Sequence, residues 1–280
     1  YTLGRLPRSS DERSAWVDTL QGLQDPEDGL FREGTHHPIH TTAHCVAALE
    51  LLDAGPRHPL RGLAPLREPA AMEAFLDALD WAGNPWLEAH RGAGLYAALV
   101  LVADVDASWE ERYFGWLAGE VDPPTGLLRR GCVSHAPEDE SLLFPHLAGT
   151  FHYLFNFEYA RRDLPHPEGL IDTCLEIFEK KLFPLSRFVG FAEIDWVYCL
   201  TRSLRRSDHR VPEAEHALAL FAERHVGFLA SLDPETDDGL DDLHSLFGTV
   251  CALAELQAAL GDRLRSERPL RLVLDRRPFI

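Results

Sequence analysis

One turn, repeated along the chain, constrains the fold more than any other feature. Asp-Pro is followed within a few residues by Gly-Leu at Asp25-Pro26-Glu27-Asp28-Gly29-Leu30, at Asp122-Pro123-Pro124-Thr125-Gly126-Leu127, and again from Asp233-Pro234 to Gly239-Leu240. Each copy sits between two stretches whose apolar residues recur at helical spacing. Proline stops the preceding helix, the aspartates can accept from backbone N–H groups, and glycine supplies a backbone angle that other residues resist. A turn that recurs in this way marks a repeated helical hairpin.

Five hairpins can be laid along the sequence. Ser10–Leu23 pairs with Thr41–Leu52, Ala70–Trp81 with Gly92–Ala103, and Trp109–Val121 with Gly149–Arg161. Gly169–Phe183 pairs with Phe191–Arg205, and Pro212–Leu232 with Asp242–Leu260. The first helix of each pair carries Arg, Glu and Asp on one face, whereas the second is apolar around most of its circumference. That contrast separates an outer layer from an inner one. Strand signals are nearly absent. The expectation is an all-α fold, an α/α toroid of about five to six helical hairpins forming one domain over residues 1–280. An open helical array is the competing arrangement, and it would need polar faces on both sides of each layer. The tail Pro269–Ile280 lacks a partner helix. It reads either as a strap across the ring or as the start of a sixth hairpin, with residues missing at one or both termini.

Charge narrows the choice of partner. There are 27 Lys and Arg against 45 Asp and Glu, a formal net charge of -18. Such a surface repels phosphate backbones and anionic lipid, so no nucleic acid is expected as partner. No run approaches the ~18 uninterrupted apolar residues of a membrane span, so no integral membrane association is expected either. The cysteines at 45, 132, 174, 199 and 251 form no CxxC pair. Cys45, Cys174, Cys199 and Cys251 lie in apolar helical patterns and are expected to be reduced and buried. With no basic-then-apolar leader, this usage suits a cytoplasmic location.

The inner helices carry the chemistry. Superposing them with Ala48, Ala98, Asn156, Cys199 and Ala252 equivalent brings polar residues into register. One level holds His44, Gly94, His152, Asp195 and Gly248; the level one turn nearer the N-terminal ends holds His40, His90, Ala148, Phe191 and His244. Residues four apart share a helix face, so the two levels stack as tiers around one axis. His44, His152, Asp195 and His244 are the candidate catalytic residues, and the same four are the candidate ligands of a Zn or Fe ion. Without metal, a carboxylate beside imidazole makes an acid/base pair. His40, His90, Trp86, Tyr153, Trp196 and Tyr198 are candidate substrate contacts. Glu33, His36, His37 and His135 fall in loops at the mouth, while Glu193 points to another side of its helix from Asp195. Each histidine alone reads equally well as a satisfied structural residue; the register is what joins them.

The stretch Gln21 to Phe31, with Gln24 and Asp28-Gly29, resembles the Gln…Asp-Gly…aromatic repeat of terpenoid cyclases. The wider hairpin repeat resembles the toroid of protein prenyltransferase β-subunits. That resemblance implies a toroid, and it aligns Asp195 and His244 with two of that family's zinc ligands. Val197 stands where the family has its cysteine ligand, and the Asp-x-Asp-Asp and Asp-Asp-x-x-Asp motifs of the cyclases are absent. The resemblance therefore carries architecture and no complete active site.

These readings converge on an enzyme doing acid/base or metal-assisted lyase or isomerase chemistry, cyclase-like, on a small molecule in a central cavity. No nucleotide cofactor is expected. An α/α-barrel glycoside hydrolase or sugar epimerase is the alternative if two carboxylates face each other across the cavity. A non-catalytic toroid that binds a ligand or a protein is the third reading.

Overall fold

Helix starts are set by local chemistry, and several lie earlier in the chain than periodicity alone indicates. In the computed structural model, which describes residues 1–133, 143–182, 189–237, 239–276 and 278, α1 spans Ser10–Gln21 and α2 Pro38–Leu51. They are followed by α3 (Pro69–Asp77), α4 (Pro85–Leu101), α5 (Ala107–Glu120) and α6 (Leu143–Tyr159). The last four are α7 (Pro167–Lys180), α8 (Ala192–Leu204), α9 (Val211–Ala230) and α10 (Leu243–Leu260). Proline opens the first turn of α2, α3, α4 and α7, where its missing N–H costs nothing. Ser9, Asp106 and Asp242 cap α1, α5 and α10 through their side chains. The consequence for function is direct: α4 begins seven residues before the expected Gly92, so His90 lies on the helix rather than in a loop.

The chain is all-α among the described residues. His135, Asp238, Phe183 and the last two residues of the tail lie outside them. The segment before α3 contains a 3-10 helix over Arg61–Arg67. Both fully described turns close with the same bonds. Gly29 N donates to Asp25 O and Gly126 N to Asp122 O, each at 2.8 Å. Phe31 N and Leu128 N then donate to Thr42 Oγ1 and Thr150 Oγ1 on the following inner helices, each at 2.9 Å. The φ angles of Gly29, Gly126 and Gly239 are +78°, +68° and +88°, in the region that glycine alone enters freely. A side chain at Gly29 would also collide with the carbonyl of Pro59.

The apolar helices pack in chain order, α2 on α4, α4 on α6, α6 on α8 and α8 on α10. Around them α1 packs on α2, α3 on α5, α7 on α8, and α9 on α7, α8 and α10. One continuous apolar cluster runs from Leu30 to Leu274. Cys45, Cys174, Cys199 and Cys251 are unpaired and buried in it or beside it. Among the described residues one helix, Leu243–Arg263, is long and apolar enough to cross a membrane. Here it packs against α8 and α9, and its Glu255 is ion-paired inside the protein.

The tail is a strap. Asn156 Nδ2 donates to Pro278 O at 3.0 Å, Arg202 Nη2 donates to Asp275 Oδ1 at 2.7 Å, and Val273 and Leu274 are buried. No helix begins within its described residues, so the sixth-hairpin reading does not hold there. The strap crosses the C-terminal halves of α6, α8 and α10. The histidines gather away from it, on α2, α4, α6 and the first turn of α10.

Candidate histidine centre

Six histidines form a connected group of rings at the N-terminal ends of the inner helices. His40 is the hub, with ring centroids 4.7 Å from His36, 4.6 Å from His44 and 4.3 Å from His90. His90 lies 4.4 Å from His152, and His36 stacks on His244 at 5.3 Å. Helix geometry explains the gathering. His40 and His44 are one turn apart on α2, His36 lies in the loop just before it, and His90, His152 and His244 come from α4, α6 and α10. Gly248 helps α10 approach: a Cβ there would lie 2.7 Å from the Cα of Phe191, at the start of α8. Phe191 consequently sits edge-on to His244 at 4.8 Å.

The rings surround a cavity of about 360 Å³. Asp195 is on its wall with Ile194, and Trp86, Phe151, Phe191 and Phe247 make much of the remainder apolar. Among the described lining residues there is no lysine or arginine, and Asp195 is the one carboxylate. Leu87 and Phe191 line the cavity while remaining substantially exposed, so it opens through an apolar rim.

Burial holds the imidazoles neutral. It pushes the His44 pKa down to about 3 and that of His152 to about 4. Those of His40, His90 and His244 are also lowered, by burial first and then by neighbouring histidines that would repel a second cation. Hydrogen bonds then fix which nitrogen is free. His152 Nδ1 lies 2.8 Å from Ala148 O, which can only accept, so Nδ1 carries the proton and Nε2 the lone pair. His36 Nδ1 lies 3.1 Å from Glu33 Oε1. Although partial burial works against ionisation, hydrogen bonds from Thr35 and His36 draw the Glu33 pKa down to about 2. Glu33 is therefore an anion at neutral pH, held beside His36.

Asp195 is the opposite case. Its Oδ2 is buried with no hydrogen-bond partner among the described residues. Burial first, and then the neighbouring buried Glu193, push its pKa well above the ordinary carboxylate range. The cavity thus sets imidazoles whose protonation burial opposes beside a carboxyl whose ionisation burial opposes.

Three histidines are placed to share one ion. One ring nitrogen from each of His40, His90 and His152 lies within 4.8 Å of the others, the one such group among the described residues. Two imidazoles bound to one ion through bonds of about 2.1 Å put their ring centres ~4.5 Å apart at right angles and ~5 Å apart at tetrahedral angles. The observed 4.3 and 4.4 Å separations match the first value.

His44, His152, Asp195 and His244, with His40, His90 and Trp86, all line the cavity. The close group differs from the expected ligand set. The expected His44, His152, Asp195 and His244 do not form the close group; His40 and His90 join His152 instead, because α4 starts early enough to carry His90 inward. Three of the expected substrate contacts also lie elsewhere. Trp196 donates to Cys174 O and stacks on Phe178. Tyr198 lies under the Arg202 guanidinium, and Tyr153 stacks on Trp81. All three are fully buried core residues. His37, expected at the mouth, caps α2 by accepting from Ile39 N. His36 and Glu33 belong to the centre more closely than their loop positions indicate, and the Thr35, His36 and Thr41 donors around Glu33 were the overlooked signal.

No family model matches this chain, and neither a curated protein nor a solved structure matches it.

Proposed function

We propose that the histidine centre is the active site of a metal-assisted lyase or isomerase acting on a small, largely apolar molecule, within an α/α toroid. The observation that carries this reading is the His40, His90 and His152 group with ring nitrogens within 4.8 Å of one another. The toroid is supported by the chain-order packing of α2, α4, α6, α8 and α10, together with the stacking of His36, just before α2, on His244 of α10. Zn or Fe in that trio would supply a Lewis acid that polarises a substrate oxygen.

The side chains have separable tasks. His152, with its proton fixed on Nδ1 by Ala148, directs a lone pair from Nε2. Asp195, whose burial raises its pKa well above the ordinary carboxylate range and so favours the protonated form, would donate a proton to the substrate from the α8 side of the cavity. His44 and His244, neutral and on the same wall, accept one. Trp86, Phe191 and Phe247 hold the apolar part of the substrate and keep water from it. A single carboxylate among the described lining residues argues against the glycosidase alternative, which needs two. The prenyltransferase resemblance would put metal at Asp195 and His244; the distances favour the histidine trio.

Metal analysis tests the reading. Purified protein, stripped and then titrated with Co²⁺, is expected to show ligand-field absorption that the His40→Ala, His90→Ala double variant loses. Absence of any Co²⁺ or Zn²⁺ binding at micromolar protein would refute a metal-assisted mechanism. Metal binding without turnover of any small apolar substrate would leave a binding protein.

A further inference from the structure

Asp195 is the one carboxylate among the described lining residues, and no lysine or arginine among them can serve as its counter-ion. Only 1% of the residue is exposed, and its Oδ2 has no hydrogen-bond partner among the described residues. A buried oxygen left in this way is costly unless a ligand satisfies it. We propose that Asp195 receives the ammonium group of an organic amine, with Phe191 and Trp86 covering the apolar body beside it. This inference rests on the active-site reading above and names the chemical class of its substrate.

The walls next to Asp195 suit an organic cation. Phe191 stands one turn earlier, where α8 begins, and Asp195 N donates to Phe191 O at 3.4 Å. Side chains four residues apart share a helix face, and both of these line the cavity. Trp86 meets Phe191 edge-on at 5.5 Å, and Phe151 and Phe247 line the same space. Aromatic faces attract an ammonium group as well as covering its hydrocarbon part, whereas aliphatic walls do only the second. Leu87, 56% exposed, continues the apolar surface to the opening.

Charge favours the same group. A lone carboxyl here resists ionisation, through burial first and then through Glu193. An amine entering as the free base takes the carboxyl proton onto its nitrogen, with no other bond changed, and leaves an ammonium–carboxylate pair in which neither charge is isolated. The nitrogen is then the atom that receives the proton assigned above to Asp195. A phosphate or a carboxylate finds no such partner at Asp195, and the net charge of -18 repels both. The oxygen that a metal ion polarises lies elsewhere on the same molecule. The substrate class is therefore an apolar amine bearing a carbonyl or hydroxyl group, and a cavity of about 360 Å³ admits one of single-ring size.

Probes of nearly equal size separate charge from shape: benzylamine, benzyl alcohol and ethylbenzene. Calorimetric titration of Co²⁺-loaded protein at neutral pH is expected to show benzylamine binding about 10- to 100-fold more tightly than the other two, the increment of a hydrogen bond to a charged group. Asp195→Asn is expected to lose that preference while keeping the Co²⁺ spectrum. Phe191→Leu leaves the carboxyl in place and tests the same wall should the asparagine variant fail to fold. It is expected to weaken benzylamine about 2- to 5-fold relative to ethylbenzene. Benzylamine bound no better than ethylbenzene would overturn the inference. So would a preference that survives in Asp195→Asn, and a Co²⁺ spectrum shifted by benzylamine would then put the nitrogen on the ion. Protein that binds no Co²⁺ would overturn the metal reading alone, since the same comparison of probes on it still decides the ammonium site.

Discussion

Two buried polar clusters lie on the same inner helices and follow opposite rules. At the C-terminal halves, Arg202 of α8 meets Glu255 of α10 through paired bonds of 2.7 and 2.6 Å, and Asp275 of the strap at 2.7 Å. Its guanidinium also lies 4.0 Å above the Tyr198 ring. Opposite charges meet there within hydrogen-bonding distance. At the other end histidines crowd together, and burial makes ionisation of Asp195 costly. Helix α8 carries both Asp195 and Arg202, two turns apart. One end pairs its charges. The other gathers imidazoles around a cavity with no lysine or arginine among its described lining residues.

Acid should break this contrast most severely. His44 and His152, with pKa values lowered to about 3 and about 4, bind fewer protons folded than unfolded. Their stabilising effect is complete above the unfolded value of about 6.5 and is lost as pH falls toward the folded values. Each such histidine costs up to about 1.4 kcal/mol per pH unit within that window. With His40 and His90 added, metal-stripped protein should lose several kcal/mol between about pH 6.5 and 5. Urea denaturation at successive pH values measures the slope. A His44→Gln, His152→Gln variant should flatten it, and equal slopes would show that the histidine end is not the acid-labile one.

The strapped end should respond to truncation rather than to pH. Arg202→Ala leaves Glu255 buried without its partner, a loss of about 3–5 kcal/mol in such pairs. Replacing both together, Arg202→Met with Glu255→Leu, should cost much less, because no charge is left stranded. Chemical denaturation distinguishes the two. A double replacement as damaging as the single one would mean that the network stabilises the fold through its own geometry. Divalent metal should act only at the other end: Zn²⁺ at 100 times its dissociation constant is expected to add about 2.7 kcal/mol. The shift should be unchanged in the Arg202 and Glu255 double replacement, and lost in the His40→Ala, His90→Ala variant.

The two ends were unequally legible in the sequence. The histidine end announced itself through register, because side chains four residues apart on equivalent helices must share a face. Helix starts hid part of it. Proline at Pro38 and Pro85 reads as a stop when approached from upstream, yet each opens the helix that carries His40 or His90 inward. The aromatic candidates failed for a different reason. Helical spacing gives a face but not a depth, so Trp196, Tyr198 and Tyr153 could not be told apart from wall residues such as Trp86. The Arg202 network left one overlooked signal: a charge of each sign interrupting two otherwise apolar inner helices. Its third member, Asp275, comes from a tail whose path no periodicity encodes.

Asp195 gives the smallest and most discriminating test, since removing its charge should act against intuition. A buried carboxylate whose pKa is raised opposes folding at neutral pH: the unfolded chain ionises it freely, whereas burial makes that ionisation costly in the folded protein. The stability this group contributes is therefore complete below its unfolded value of about 4 and is lost as pH rises toward the raised folded value. Asp195→Asn removes the titration with little change in volume. At pH 8 the variant should be slightly more stable than the parent, by at most about 1 kcal/mol, because asparagine still buries a polar amide. As pH falls toward about 4, where the unfolded carboxyl is itself about half protonated, the gain should shrink toward zero. Turnover should fall sharply over the same range, because the amide has no acidic proton to transfer. Metal content should stay unchanged if the histidine trio is the ligand set, and would fall if Asp195 were a ligand. A variant destabilised at pH 8 would show instead that Asp195 is ionised and paired in the folded state, making this end as fully compensated as the one held by Arg202.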